Sequence, residues 1–230
     1  KMFDRFKVIG ESLFLLGMND PKSGNISVRE EDKIYITKRN CWLSNLKEYD
    51  LIAVPVDCDS AEDAEASVDL PVHRAIYQGT QHKAVIHAHS PYLCALSITE
   101  NKIMLPETKG SMIFQNGVPI TRLRQGISSE EAARTIVSNF TSGYRATAVK
   151  GHGFFVAASS LEEAYEWAVC LENSAKIIAI TKMIPDKQAV QQQQQQSRPY
   201  EHRKRSAIPP SIGVMDRRTT TSSYGRGPKR

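Results

Sequence analysis

Few cysteines, few aromatics and no long apolar run mark this 230-residue chain, and each shortage closes off a class of protein. The four cysteines, Cys41, Cys58, Cys94 and Cys170, form no Cys-x-x-Cys pair and no dense framework. That argues against a disulfide scaffold and for a reduced, cytoplasmic protein. No apolar stretch approaches the roughly 20 residues needed to cross a bilayer. The opening residues carry no signal-peptide pattern, so no membrane partner is expected. There is no internal repeat, and no aromatic residues interleave with basic ones as on a nucleic-acid surface.

The net charge of +5 is unevenly placed. Residues 187–230 hold 10 Lys+Arg and 2 Asp+Glu, leaving 20 against 23 in the part before them. The preceding part is therefore mildly acidic, and a nucleic-acid partner is not expected. We divide the chain into a folded domain, residues 1–185, and a tail, residues 186–230. The tail opens on six glutamines at 191–196 and continues with few large apolar residues, a composition expected to stay disordered. Its basic run at 202–205 suits a nuclear address, a polyanion contact or a plain solvated surface.

What the chain does have is concentrated in a few stretches. AVIHAHSPY, residues 84–92, sets His87 and His89 two apart in a strand-like apolar run. Alternation along a strand turns both imidazoles to one side, where they can converge on one cation. VKGHGFFVAA places His152 between Gly151 and Gly153, glycines that allow close backbone approach to a bound group. SVDLPVHRAIY places Asp69 just before a helical run. Plainer roles exist for each: a hydrogen-bonded histidine pair, a helix cap at Asp69, a turn at His152. Together they make a four-ligand metal site, three histidines and one carboxylate.

Around these stretches the periodicities alternate. Phe3, Phe6, Leu13 and Leu16 predict an amphipathic helix ending near residues 19–22. Strands are predicted at 26–28, 33–37 and 51–56, with a surface loop at 57–66, a helix at about 70–78, and a helix opening at Pro91. Lys109-Gly110 and Asn116-Gly117 break the region 103–123, and Asn-Gly suits a tight hairpin. Ser128 with Glu131, and Ser160 with Glu163, have capping-box spacing. Ala133, Ile136, Val137 and Phe140 then supply one apolar helix face, and Leu161, Ala164, Ala168, Leu171, Ala175 and Ile178 another. Hairpins interleaved with helices predict an α/β fold, a three-layer α/β/α arrangement around a mixed, mainly antiparallel sheet.

Four blocks, SGNISVRE (23–30), SVDLPVHRAIY (67–77), AVIHAHSPY and KGHGFFVAASSLEEAYEWA (150–168), occur in the order found in the class II aldolase and adducin-head family. The chain resembles that family from its first helix to about Lys182. The resemblance implies the same fold, a ring-shaped homotetramer with sites at subunit interfaces, and a divalent metal, usually zinc. It assigns the metal to His87, His89 and His152, with Asp69 as ligand and acid/base group. It also implies a sugar-phosphate substrate held by Ser23, Gly24, Asn25 and Ser67, Asn25 standing at the family's phosphate-contacting asparagine. The implied activity is that of a lyase of carbohydrate metabolism, an aldolase that cleaves a ketose phosphate by Lewis-acid stabilisation of an enediolate.

Departures from the family pattern keep alternatives in view. Asp69 stands where the aldolase branch usually has glutamate and the epimerase branch aspartate, so a sugar-phosphate 4-epimerase is the first rival. Thr37, Lys38, Arg39 and Asn40 replace a Thr-Pro-x-Gly phosphate motif, and Val68 replaces a serine. A glycine and a hydroxyl are thus missing from the expected anion cradle, with Lys38 or Arg39 as charged replacements or solvated surface. With the basic tail, this leaves a non-catalytic adducin-like interaction module as the second rival. His73, Tyr92 and Glu107 are secondary candidates: near the metal, near substrate, or as a second acid.

Overall fold

Side-chain alternation on the strands decides which helices cover which face of the sheet. The structure, a computed structural model, describes residues 1–185. The tail and its basic run lie outside the described residues. Eight strands form one sheet: β1 (Asn25–Glu30), β2 (Lys33–Thr37), β3 (Leu51–Pro55), β4 (Ala84–Ala88), β5 (Lys102–Ile103), β6 (Val118–Thr121), β7 (Ala146–Val149) and β8 (Gly153–Ala158). Their order is β3-β2-β1-β4-β8-β7-β6-β5. Every neighbouring pair is antiparallel except β6 with β7.

Ile26 and Val28 of β1, Ile86 of β4, and Phe154 and Val156 of β8 turn to one face. There they meet helices α1 (Met2–Leu15), α3 (Pro91–Thr99) and α6 (Leu161–Met183). Val85, Phe155 and Ala157 turn to the other face, against α2 (Leu70–Gly79) and α5 (Glu130–Thr141). The fold is therefore the three-layer α/β/α arrangement with a mixed, mainly antiparallel sheet. Nearly all of the α6 stripe predicted from spacing is fully buried, Leu161, Ala164, Ala168, Leu171 and Ala175 included.

Local departures from the sequence reading have local causes. Helix α1 stops at Leu15, short of residues 19–22, because Gly17 takes φ +70. The Gly17 N–H then donates to the Phe14 carbonyl and the Met18 N–H to that of Leu13, a glycine-ended closure that buries Met18 and leaves Leu16 half-exposed. Lys109-Gly110 is no break: it lies inside the short helix α4 (Thr108–Ile113), capped by the Glu107 carboxylate on the Gly110 N–H at 2.6 Å. Asn116-Gly117 joins α4 to β6, and the antiparallel partner of β6 precedes α4, so it is not a hairpin loop. Helix α5 is capped one residue later than predicted, by Ser129 on the Ala132 N–H. The Glu131 carboxylate instead accepts from the Arg124 and Gln125 N–H groups.

Candidate metal centre

Pairing of β1, β4 and β8 brings the site together. Asn25 pairs with His87, and His87 with Phe155, so three distant segments share one register line at the end of the sheet. Phe155 stacks on the His87 ring at 4.1 Å. The His87 Nδ1–H donates to the Phe154 carbonyl at 2.8 Å, which turns its Nε2 lone pair inward. His89 lies just past β4, and its N–H is held at 3.0 Å by both the Met18 carbonyl and Asn19 Oδ1. His152 sits in the β7–β8 turn, its N–H on the Val149 carbonyl at 3.0 Å.

The three rings meet. His87 Nε2 lies 2.8 Å from His89 Nε2 and 3.2 Å from His152 Nε2, and ligand atoms of all three fall within 4.8 Å of one another. His87 Nε2 is acceptor-only and has a single lone pair, so at most one of these contacts is a hydrogen bond. Burial and the neighbouring imidazoles hold His87 well below the usual histidine range; burial also lowers His89, though Asp69 and Asp20 oppose it, and lowers His152, opposed by Asp69. Neutral rings turning lone pairs on one point suit a cation. Nitrogens about 2.0–2.1 Å from a tetrahedral zinc stand roughly 3.3 Å apart, close to the spacing here.

Asp69 stands beside the rings. It is the first residue before α2, yet its side chain caps nothing; the helix instead takes its start from Pro71. The carboxylate is buried, with Oδ2 2.6 Å from the Asn25 amide nitrogen and 3.7 Å from His87 Nε2. Oδ1 has no hydrogen-bond partner. A buried carboxylate oxygen without a donor costs about 1–3 kcal/mol or more, and a cation bound by this carboxylate would offset that cost. The residues fit a divalent metal.

A cavity of about 230 Å³ opens beside the centre. Ser23, Gly24, Asn25 and Ser67 line it with Asp69, His89 and His152. Gly24 has φ +76, and a Cβ there would stand 2.7 Å from the His87 carbonyl, so only glycine fits. Ser23 Oγ accepts from the Asp20 N–H at 3.0 Å, and Ser67 Oγ from the Asp69 N–H at 3.3 Å. The glycine missing from the family motif is replaced in conformation: Asn40 takes φ +62, which asparagine tolerates. Lys38 is paired with Glu65 at 2.5 Å, and Arg39 donates to the Ala66 carbonyl, while both line the cavity.

The remaining candidates separate. His73 is fully buried behind Asn25, its Nε2 2.6 Å from Asn25 Oδ1. Tyr92 is engaged elsewhere: its N–H donates to buried Glu172, and Lys176 lies over its ring. Glu107 is tied to α6 through Ser174 Oγ at 2.6 Å. Gly153 serves packing and not a bound group, since a Cβ there would lie 2.3 Å from the Ala88 carbonyl. The Ser27 hydroxyl, which the sequence offers to the anion loop beside Ser23, instead bonds His73 and Tyr77, and sequence reasoning gave no role to Asn19 or Tyr77.

The family profile described as Class II Aldolase and Adducin N-terminal domain matches residues 7–179. An L-fuculose phosphate aldolase of Methanococcus vannielii is 27% identical over 177 residues, covering 76% of this chain and 88% of that protein. A probable bifunctional methylthioribose-1-phosphate isomerase/methylthioribulose-1-phosphate dehydratase of Nocardia farcinica is 24% identical over 200 residues; the chain spans only 35% of its length. The crystal structure of L-fuculose-1-phosphate aldolase from Thermus thermophilus superposes with a TM-score of 0.74 at 30% identity, covering 78% of this chain and 93% of that one.

Proposed function

The chain belongs to the class II aldolase and adducin N-terminal domain family, and from that premise we propose that it is a metal-dependent aldolase cleaving a ketose phosphate. The observation that carries this is the convergence of three imidazole nitrogens, with the buried Asp69 carboxylate 3.7 Å from His87 Nε2. His87, His89, His152 and Asp69 hold the ion, and the nitrogen-rich donor set favours zinc. A divalent cation there supplies Lewis-acid stabilisation of the negative charge that carbon–carbon cleavage leaves on substrate oxygens.

The chain's own residues do the rest. Asp69, held through Oδ2 by Asn25, is the acid/base group and moves a proton when it leaves or shares the ion. Ser23, Gly24, Asn25 and Ser67 face the substrate's phosphate, with Lys38 and Arg39 adding charge at the rim. The aspartate at position 69 favours one second reading, a 4-epimerase that breaks and remakes the same bond. Retention of all four ligand positions weighs against an adducin-like module without catalysis. The working form is a homotetramer in the cytoplasm.

The test pairs elemental analysis of purified protein with a ketose-phosphate screen. Stoichiometric zinc and release of a triose phosphate plus an aldehyde are expected; a single isomerised pentose phosphate indicates the epimerase. His89→Ala should lose metal and turnover together. Asp69→Asn should keep much of the metal and lose about a hundred- to ten-thousand-fold in kcat. Metal-loaded protein that turns over no sugar phosphate at all would refute the enzymatic reading.

A further inference from the structure

Behind the metal centre, at the interface of β1 and α2, four buried hydrogen bonds run in series. Tyr77 Oη lies 2.7 Å from Ser27 Oγ, which lies 2.6 Å from His73 Nδ1. His73 Nε2 lies 2.6 Å from Asn25 Oδ1, and Asn25 Nδ2 lies 2.6 Å from Asp69 Oδ2. All five side chains are buried.

An ionised carboxylate only accepts, so Asn25 must turn its NH₂ to Asp69 and its oxygen to His73. His73 must then carry its proton on Nε2. The ring is fully buried, which favours its neutral form, so its Nδ1 accepts. Ser27 therefore donates to His73, and Tyr77 donates to Ser27. With Asp69 ionised and the ring neutral, this is the one proton arrangement that satisfies all four contacts. The direction also fixes what the cavity meets: Asn25 offers it N–H and never its carbonyl oxygen.

We propose that Tyr77, Ser27 and His73 are positioning residues that hold Asp69 through Asn25, pinning Oδ2 at 3.7 Å from His87 Nε2 so that the carboxylate stands at the histidine centre. This rests on the reading of Asp69 as a metal ligand. A core network with a purely structural role predicts lost stability on mutation but no dependence on Asp69, and that difference is measurable.

Two readouts on the full chain decide it. In imidazole-¹⁵N-labelled protein, NMR should find His73 protonated on Nε2 and His87 on Nδ1, opposite tautomers; a proton on His73 Nδ1 overturns the chain. In zinc titration calorimetry, His73→Leu should weaken affinity about 10- to 100-fold. His73→Gln, which keeps an N–H for Asn25, should weaken it far less. In an Asp69→Ala background, His73→Leu should change affinity by no more than about twofold. An equal loss in both backgrounds overturns the proposal. If His73→Leu does not fold, Ser27→Ala carries the same cycle with the same two outcomes. Wild-type protein that binds no zinc overturns the metal reading and the positioning role with it, while the tautomers still decide the chain's direction.

Discussion

Buried imidazoles behave differently from exposed ones, and His73 makes the difference measurable. Its pKa falls to about 3 in the fold, whereas an unfolded histidine titrates near 6.5. Below pH 6.5 the unfolded chain binds a proton that the native one refuses, so stability drops as pH falls from there toward 3. At pH 5 this residue alone should cost about 2 kcal/mol relative to pH 8. His73→Gln removes that share, so thermal unfolding at pH 7 and pH 5 should separate the variant's slope from the wild type's. Identical slopes would mean the ring is not held neutral. Asn40 teaches a related lesson: the motif read as damaged by a lost glycine keeps its turn, because asparagine accepts φ +62.

At the scale of elements, caps and strand contacts carry the predictions. Ser129 accepts the Ala132 N–H at the start of α5, whereas Ser128, at the capping-box spacing, does not cap the helix. Ser129→Ala should therefore cost about 1 kcal/mol, and Ser128→Ala a few tenths at most, in denaturant melts. The reverse ranking would restore the box predicted from spacing. Gly153 lets β8 lie against β4, where a Cβ would stand 2.3 Å from the Ala88 carbonyl. Gly153→Ala must displace the start of β8 and with it the Phe154 carbonyl that orients His87. We expect about 1–3 kcal/mol lost in stability and weaker zinc binding by calorimetry. Unchanged metal affinity in that variant would show that the Phe154 contact does not set the site.

At the scale of the whole fold, large apolar side chains remain exposed on α1 and α6 among the described residues. Both sheet faces are covered, yet Leu15 of α1 is 75% exposed and Met183 of α6 is 78% exposed, with Val8 and Ile180 also turned to solvent. The proposed homotetramer gives these side chains a place to go. Light scattering of the full chain should return four times the monomer mass; a monomer at micromolar concentration would remove that part of the proposal. Among the described residues no helix is long and apolar enough to cross a membrane.

The amino-acid sequence by itself determined the layers and marked the proposed ligands. Period-two runs and helical stripes specify which segments are strands and helices, and His87, His89, His152 and Asp69 stand in short motifs whose spacing is chemical information. Only the tertiary structure decided that Asp69 turns away from its own helix toward the histidines, that Asn19 holds the His89 backbone, and that Tyr77, Ser27 and His73 stand in line behind Asn25. These contacts join residues tens of positions apart across β1, β4 and α2. A periodicity records which face a side chain takes; it holds no record of which distant side chain it will meet there.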